Sequence, residues 1–338
     1  MKIAILNIYQ KTATRGAETY IRELAYELSK RNEVEVFSGD WASEERWPVL
    51  WRLFLDPKSA SIALFTLKLL PTLLKNRFDI VMPTNGGWQP AFVRIATWIY
   101  GGKMVIPGFS GVGWDDRNNL WNFPDAYVAI SKRAKEWAEK INPFVKSYYI
   151  PGGVNTAKFK PGGATYKHNL QAPVFLHISA LTPEKRVHLA IEAVGKLKKG
   201  SLFLEGSGPL RLEVERLGRR LLGKRFKLIK SHYRELPKIY RSADIFTIPT
   251  DPSNSFGLVL LEAMACGLPV VANDDPIRRE IVGDAGLLVD PRDTDAYARA
   301  LEKAIKIDWG DKPRKQAEKF SWEVIAKKYE KLFTNLVR

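Results

Sequence analysis

Cysteine is nearly missing: Cys266 is the single one in 338 residues. One thiol excludes an internal disulfide framework and any cysteine-based metal cluster, and within the small apolar run AMACG its simplest role is packing. No stretch reaches the roughly 18 uninterrupted apolar residues of a membrane-spanning helix. The opening MKIAILNIY places one lysine before a short apolar run that reads as a β-strand, without the long hydrophobic region and small-residue cleavage site of a signal peptide. There is no tandem repeat and no low-complexity tract. These absences lead us to expect a cytoplasmic chain, soluble or peripheral on the inner face of the membrane.

Positive charge is abundant. Fifty-three Lys and Arg against 37 Asp and Glu give a formal net charge of +16. Residues 1–150 hold 20 basic and 15 acidic side chains and residues 151–338 hold 33 and 22, so the excess is mostly C-terminal. Its densest part is RLEVERLGRRLLGKRFKLIKSHYREL. There Arg216, Arg219, Arg220, Lys224 and Arg225 alternate with Leu212, Leu217, Leu221 and Leu222, as the solvated face of an amphipathic helix would. Aromatic interleaving is nearly absent from it, so nucleic acid is not the expected partner. Anionic lipid or a phosphorylated ligand fits better.

Short β-rich runs alternate with helical runs: KIAILNI, then 17–29; VEVFS; a long apolar segment 59–75; DIVMP; KMVIP; AYVAIS, then 132–140. The stretch IPGGVNTAKFKPGGATYKHNLQ, rich in Gly, Pro and polar residues, interrupts the pattern. It restarts with VFLHIS, 189–197, SLFLEG, 210–222, FKLI, ADIFTIP, a short helix and LPVVAN. Strand–helix alternation implies parallel sheets with crossover helices. We therefore expect an α/β chain of two doubly wound domains, 1–157 and 158–319, with the amphipathic helix in 320–338 last. Ligands bind at the carboxyl ends of the strands in such sheets, so two of them facing one another would make an interdomain cleft.

One carboxylate stands out. In SNSFGLVLLEAMACGLPVVAND the spacing predicts a helix over 257–266, with Asn254 and Ser255 as N-cap candidates and Gly267 with Pro269 as the stop, then a strand over 269–272. Glu262 lies one turn from Leu258, Ala265 and Cys266, so its face is small and apolar. Either that face is open to water, or a ligand's hydroxyls satisfy the charge at a cleft. Three other loops sit at strand ends. QKTATRGAETYIREL has Gly16 ahead of a helix, where a glycine lets backbone N–H groups approach an anion. SALTPEKRVHLAIEA puts Lys185 and Arg186 at a helix start, where cations are disfavoured unless something negative compensates them. EGSGPLR forms a tight turn at Gly206 and Gly208.

In this order RGAE, LTPEKRV, GSGPLR and FGLVLLEAMACGLPVVA closely resemble the retaining glycosyltransferases of family four. The likeness extends through IPGGVNTAKFKP and REIVGDAGLLVDPRD and covers nearly the whole chain. It implies the GT-B fold of two Rossmann-like domains, a UDP- or GDP-linked sugar donor as substrate, and neither metal nor cofactor. The N-terminal domain would bind acceptor, the C-terminal domain the nucleotide-sugar, and the closing helix would cross back to the N-terminal domain. Lys185 would contact the donor diphosphate and Glu262 the ribose hydroxyls. Gly16, Gly206 and Gly208 would approach the donor, and the backbone around Ser255, Phe256, Gly257 and Leu258 would hold sugar and phosphate oxygens.

The chain departs from the family at three places. Ala180 stands where an Arg is common, Asn254 stands where a second Glu is common, and VIPGFSGVGWDDRNN has no His. Asn254 retains hydrogen-bonding capacity for sugar hydroxyls, Arg186 can supply the missing positive charge, and Arg15 with Asp115 or Asp116 are the acceptor-binding candidates. The alternative is a donor-binding protein that has lost transfer. Residues 47–77 add a further expectation. Trp47, Trp51 and Phe54 precede a Leu-rich helix flanked by Lys58, Lys68, Lys75 and Arg77, the pattern of a helix lying on an anionic membrane, although Pro71 would kink it.

Overall fold

The computed structural model describes residues 1–12, 16–109, 112–251 and 256–338. Contacts gather them into two compact units, Met1–Gly152 with Trp322–Arg338, and Gly153–Ser321. Each is a six-stranded, wholly parallel sheet with helices around it.

The first unit runs β1 (Lys2–Leu6), α1 (Gly16–Ser29), β2 (Glu33–Phe37), α2 (Pro57–Asn76), β3 (Ile80–Pro83), α3 (Gln89–Tyr100), β4 (Lys103–Gly108), α4 (Trp114–Trp121), β5 (Ala126–Ala129), α5 (Lys132–Ile141) and β6 (Ser147–Tyr149), in the sheet order β2-β1-β3-β4-β5-β6. The apolar runs of β1, β3, β4 and β5 follow from helices covering both faces of a parallel sheet. Helix α1 buries Tyr20, Ile21, Leu24 and Leu28, the positions that share its sheet-facing stripe. Helix α2 is one element through Pro71; Asp56 caps its start by accepting from the Ser59 amide, and Arg77 closes it in the left-handed conformation.

The second unit runs β7 (Val174–Ile178), α6 (Val187–Gly195), β8 (Ser201–Glu205), α7 (Arg211–Leu222), β9 (Phe226–Ile229), α8 (Leu236–Tyr240), β10 (Ile245–Ile248), α9 (Leu258–Ala265), β11 (Val270–Asn273), α10 (Pro276–Val282), β12 (Gly286–Val289), α11 (Thr294–Lys306) and α12 (Lys312–Glu318), with sheet order β12-β11-β10-β7-β8-β9. Arg314 ties the unit's opening segment to the end of α9: its Nη1 donates to the carbonyls of Phe159 (2.8 Å), Ala265 (2.9 Å) and Thr156 (3.1 Å). The last helix, α13 (Trp322–Val337), packs in the first unit on α1, where the Tyr20 and Tyr329 hydroxyls meet at 3.0 Å and the Tyr20 and Trp322 rings meet edge to face. Among the described residues no helix is long and apolar enough to cross a membrane.

Candidate functional site

In the second unit the chain leaves β7 to one side, building β8 and β9, and then returns to build β10, β11 and β12 on the other. The crevice at the carboxyl ends of β7 and β10 is thus the switch point where doubly wound sheets take ligands. Three loops border it: 179–186 after β7, 206–210 after β8, and the stretch from 249 after β10. Asn254 and Ser255, named above from sequence, lie outside the described residues.

Lys185 ends a 3₁₀ turn, Pro183–Lys185, and Arg186 follows in the left-handed region at φ 48° as the start of α6. A non-glycine residue there is strained, so something must hold it. Asp251, beyond β10, does so through an ion pair with the Arg186 guanidinium. Compensation for Arg186 therefore comes from a side chain of the protein itself, which the sequence did not reveal. Burial lowers the proton affinity of the Lys185 amine; Glu184 opposes that shift and the Arg278 guanidinium adds to it. Glu184 is itself engaged, accepting from the Thr182 hydroxyl at 2.6 Å.

Arg278, on α10, is almost completely buried, and sequence reasoning passed over it. It lies 3.6 Å from Asp275, whose carboxylate also caps α10 by accepting from the amides of Ile277 and Arg278. Burial disfavours the charge of both Lys185 and Arg278; the Arg278 guanidinium adds to the shift at Lys185, whereas the Asp275 and Asp251 carboxylates favour the charge on Arg278. Beneath, in β7, His177 is fully buried with Nε2 2.8 Å from the Ser179 hydroxyl. Burial first, and the Lys185 charge last, bring its imidazole down to about 4, so it is neutral at physiological pH.

Glu262 is 93 % shielded from solvent, being 7 % exposed, which removes the reading in which its face is open to water. Its carboxylate is met from within. The Tyr240 hydroxyl donates to Oε2 at 2.8 Å and the Tyr233 hydroxyl to Oε1 at 3.4 Å. Lys158 stacks on Tyr233, its ammonium 3.4 Å from the ring centre. Neighbouring Cys266 is buried and its thiol is pushed up to about 12, so it stays protonated and inert.

The glycines divide by role. A Cβ on Gly206 would sit 2.1 Å from the Ser179 carbonyl oxygen, and one on Gly208 would sit 2.5 Å from that of Leu181. Both let the β8 loop lie backbone to backbone against the β7 loop. Gly257 takes φ 86° at the start of α9, a conformation that favours glycine. Phe256 turns its ring inward toward Phe320, whereas Leu258 is half-buried. Gly16, in the first unit, has nothing within 4 Å of a would-be Cβ, so packing gives no reason for it.

The first unit's sheet reverses between β1 and β3. A network of amides missed in the sequence fills that switch point. Asn85 Oδ1 accepts from the Ile8 amide at 3.0 Å and its Nδ2 donates to Asn7 Oδ1 at 3.3 Å; Asn7 Nδ2 donates to Gln10 Oε1 at 3.1 Å; Gln89 Oε1 accepts from the Asn85 amide at 2.8 Å. Asp115 faces Arg46 at 3.5 Å and remains partly exposed. Asp116 is 1 % exposed and accepts from Asn119 at 3.0 Å, its charge bearing on the buried Tyr127 hydroxyl. Of the two acceptor candidates, Asp116 thus lies inside the unit and Asp115 at its surface. Arg15 lies outside the described residues.

Residues 164–321 match the family Glycosyl transferases group 1, and residues 14–158 match Glycosyltransferase Family 4. The chain is similar to an exopolysaccharide phosphotransferase of Streptomyces coelicolor, 30% identical over 63% of this chain and 24% of that one. It is similar to a GDP-mannose-dependent alpha-(1-6)-phosphatidylinositol monomannoside mannosyltransferase of Mycolicibacterium smegmatis, 24% identical over 85% of this chain and 84% of that one. The matches span about a quarter of the length of the first curated relatives. Among solved structures it resembles Anabaena HepE in complex with UDP, with TM-score 0.75 and 18% identity over 99% of this chain and 100% of that one. That likeness establishes the fold, the two Rossmann-like units of GT-B.

Proposed function

Because the chain belongs to the group 1 glycosyltransferases, family four, we propose that it moves a sugar from a UDP- or GDP-linked donor to a lipid-linked or cell-envelope glycan, retaining anomeric configuration and using no metal. The observation that carries this reading is the second unit's switch point, where Lys185 follows β7 and the buried carboxylate of Glu262 follows β10. Lys185 takes the diphosphate and Glu262 the ribose diol. A charged hydrogen bond contributes roughly 1.5–3 kcal/mol, enough to reward a carboxylate kept in an apolar helix. Its relatives support the substrate classes: the mycobacterial mannosyltransferase is GDP-mannose-dependent and HepE was solved with UDP.

In the reaction the bond from the anomeric carbon to the diphosphate oxygen breaks, and an acceptor hydroxyl forms the new glycosidic bond on the same face. The acceptor proton passes to the departing diphosphate. The residues then have two tasks, positioning and stabilising leaving-group charge. Lys185 serves the second, because its desolvated ammonium interacts more strongly than one in water. Asn254 would bond the sugar's hydroxyls.

Acceptor would bind the first unit near Asp115 and the amide network at β1 and β3. That unit also supports a place on an anionic membrane at the cytoplasmic face. Leu64, Leu67 and Leu74 line the outer face of α2 with Lys68 and Lys75 beside them, and α3 adds Ile95, Trp98 and Ile99, all exposed. Apolar face and basic rim together are what an interfacial surface needs.

A thermal-shift screen of UDP, GDP and their sugar conjugates tests the donor assignment. One base series should raise the unfolding temperature. Stabilisation by no nucleotide would refute it.

A further inference from the structure

We propose that Tyr240 is a positioning residue that aims Glu262 at the donor's ribose, and that Tyr233 is a placeholder whose hydroxyl the ribose displaces. This rests on the donor reading above. The two tyrosines treat the carboxylate unequally. Tyr240 has no exposed surface and holds Oε2 at 2.8 Å, an ordinary strong bond, so it never touches the ligand and does not let go. Tyr233 is half-buried and reaches Oε1 at 3.4 Å, at the long limit of a hydrogen bond, so exchanging it costs little.

The surroundings fit this division. The Phe159 ring lies edge-on to both tyrosines, 5.8 Å from Tyr240 and 6.0 Å from Tyr233. Lys158 clamps the Tyr233 ring from its face, so the ring keeps its place after its hydroxyl releases Glu262. Burial and the Glu262 charge both push the Tyr240 hydroxyl well above its ordinary ionisation range, so it remains a donor at any working pH. With Oε2 fixed, the rotation of the carboxylate is fixed, and Oε1 points where a sugar hydroxyl can replace Tyr233. In the unliganded protein the pair also solves the problem of a carboxylate in an apolar helix.

The test compares UDP with 2′-deoxy-UDP, and GDP with 2′-deoxy-GDP, by calorimetry on the full chain. For the base that binds, the wild type should prefer the ribonucleotide by about tenfold or more, the value of one charged hydrogen bond. Glu262→Gln should reduce that preference severalfold. Tyr240→Phe should reduce it as far as Glu262→Gln while changing deoxynucleotide affinity less than about twofold, a pattern that general loosening of the unit would not give. Tyr233→Phe should tighten ribonucleotide binding about two- to threefold and the deoxynucleotide, which keeps one of the two hydroxyls, by less. A Tyr240→Phe protein that keeps the wild-type preference while Glu262→Gln loses it would overturn the proposal and leave the ribose assignment intact. A wild type that binds both nucleotides equally would overturn the assignment as well. Should Tyr240→Phe fail to fold, Tyr233→Phe decides: weaker ribonucleotide binding contradicts the placeholder role.

Discussion

Arg186 and Asp251 form an ion pair across 65 residues of sequence, joining the loop after β7 to the loop after β10 at the point where the sheet reverses direction. Arg186 sits at positive φ, and the same two loops are also joined by the Asp251 amide, which donates to the Glu184 carbonyl at 2.8 Å. A double-mutant cycle with Arg186→Ala and Asp251→Ala, read by thermal stability and by nucleoside-diphosphate affinity, should give a coupling of about 1–2 kcal/mol. Strictly additive losses would show that the ion pair itself does not couple the two loops.

Lys185→Ala should weaken nucleoside-diphosphate binding at least tenfold and free-nucleoside binding hardly at all, because in the proposed site the ammonium would meet the diphosphate and not the nucleoside. The pH dependence has a definite sign. Burial lowers the Lys185 proton affinity in the free protein, and a diphosphate bound beside it would raise it again. Binding should therefore take up a proton on the alkaline side, and affinity should fall as pH rises through the lowered value. Calorimetry in two buffers of different ionisation enthalpy detects the uptake. A pH-independent affinity into the range of a free lysine contradicts it.

The glycines separate structure from function. Gly206→Ala and Gly208→Ala drive a Cβ into a carbonyl oxygen and should lower the unfolding temperature by several degrees. Gly16→Ala meets no neighbour, so it should leave stability within about 0.5 kcal/mol while reducing turnover, if a ligand rather than packing accounts for it. Unchanged turnover would remove Gly16 from the site.

The proposed membrane contact would use the outer faces of α2 and α3. Trp51 and Phe54, conspicuous in the sequence, are only half-exposed, and the Phe54 carbonyl accepts from the Trp88 indole at 3.1 Å. The better probes are Leu53, Leu64 and Trp98, at 58%, 60% and 63% exposure. Co-sedimentation should be several times greater with anionic than with neutral vesicles, and Leu64→Ser with Trp98→Ser should abolish the difference. Equal sedimentation with both lipids counts against the surface.

What could be read from sequence was local. The α1 stripe, the Glu262 helix and the alternation of strands and helices all depend on periodicity within one element, and there the reading and the fold agree closely. The sequence pattern places the start of α6 two residues late because Arg186, not an ordinary cap, begins it from a left-handed conformation. The two hydroxyls on Glu262 come from 22 and 29 residues upstream, beyond any spacing rule, so the question of its charge was visible and the answer was not. Arg278 was hidden for another reason: in a run of charged residues on a short helix, one fully buried arginine looks like its exposed neighbour Arg279.

Diphosphate release tests sugar transfer by this protein most directly. Wild-type protein is incubated with a panel of UDP- and GDP-sugars and a membrane extract as acceptor, and free nucleoside diphosphate is measured. Release from at least one donor, dependent on the extract, and lost in Lys185→Ala and reduced in Asn254→Ala, is the predicted result. Nucleotide binding with no release from any donor would contradict it and identify a binding protein in which Ala180 and Asn254 mark a lost activity.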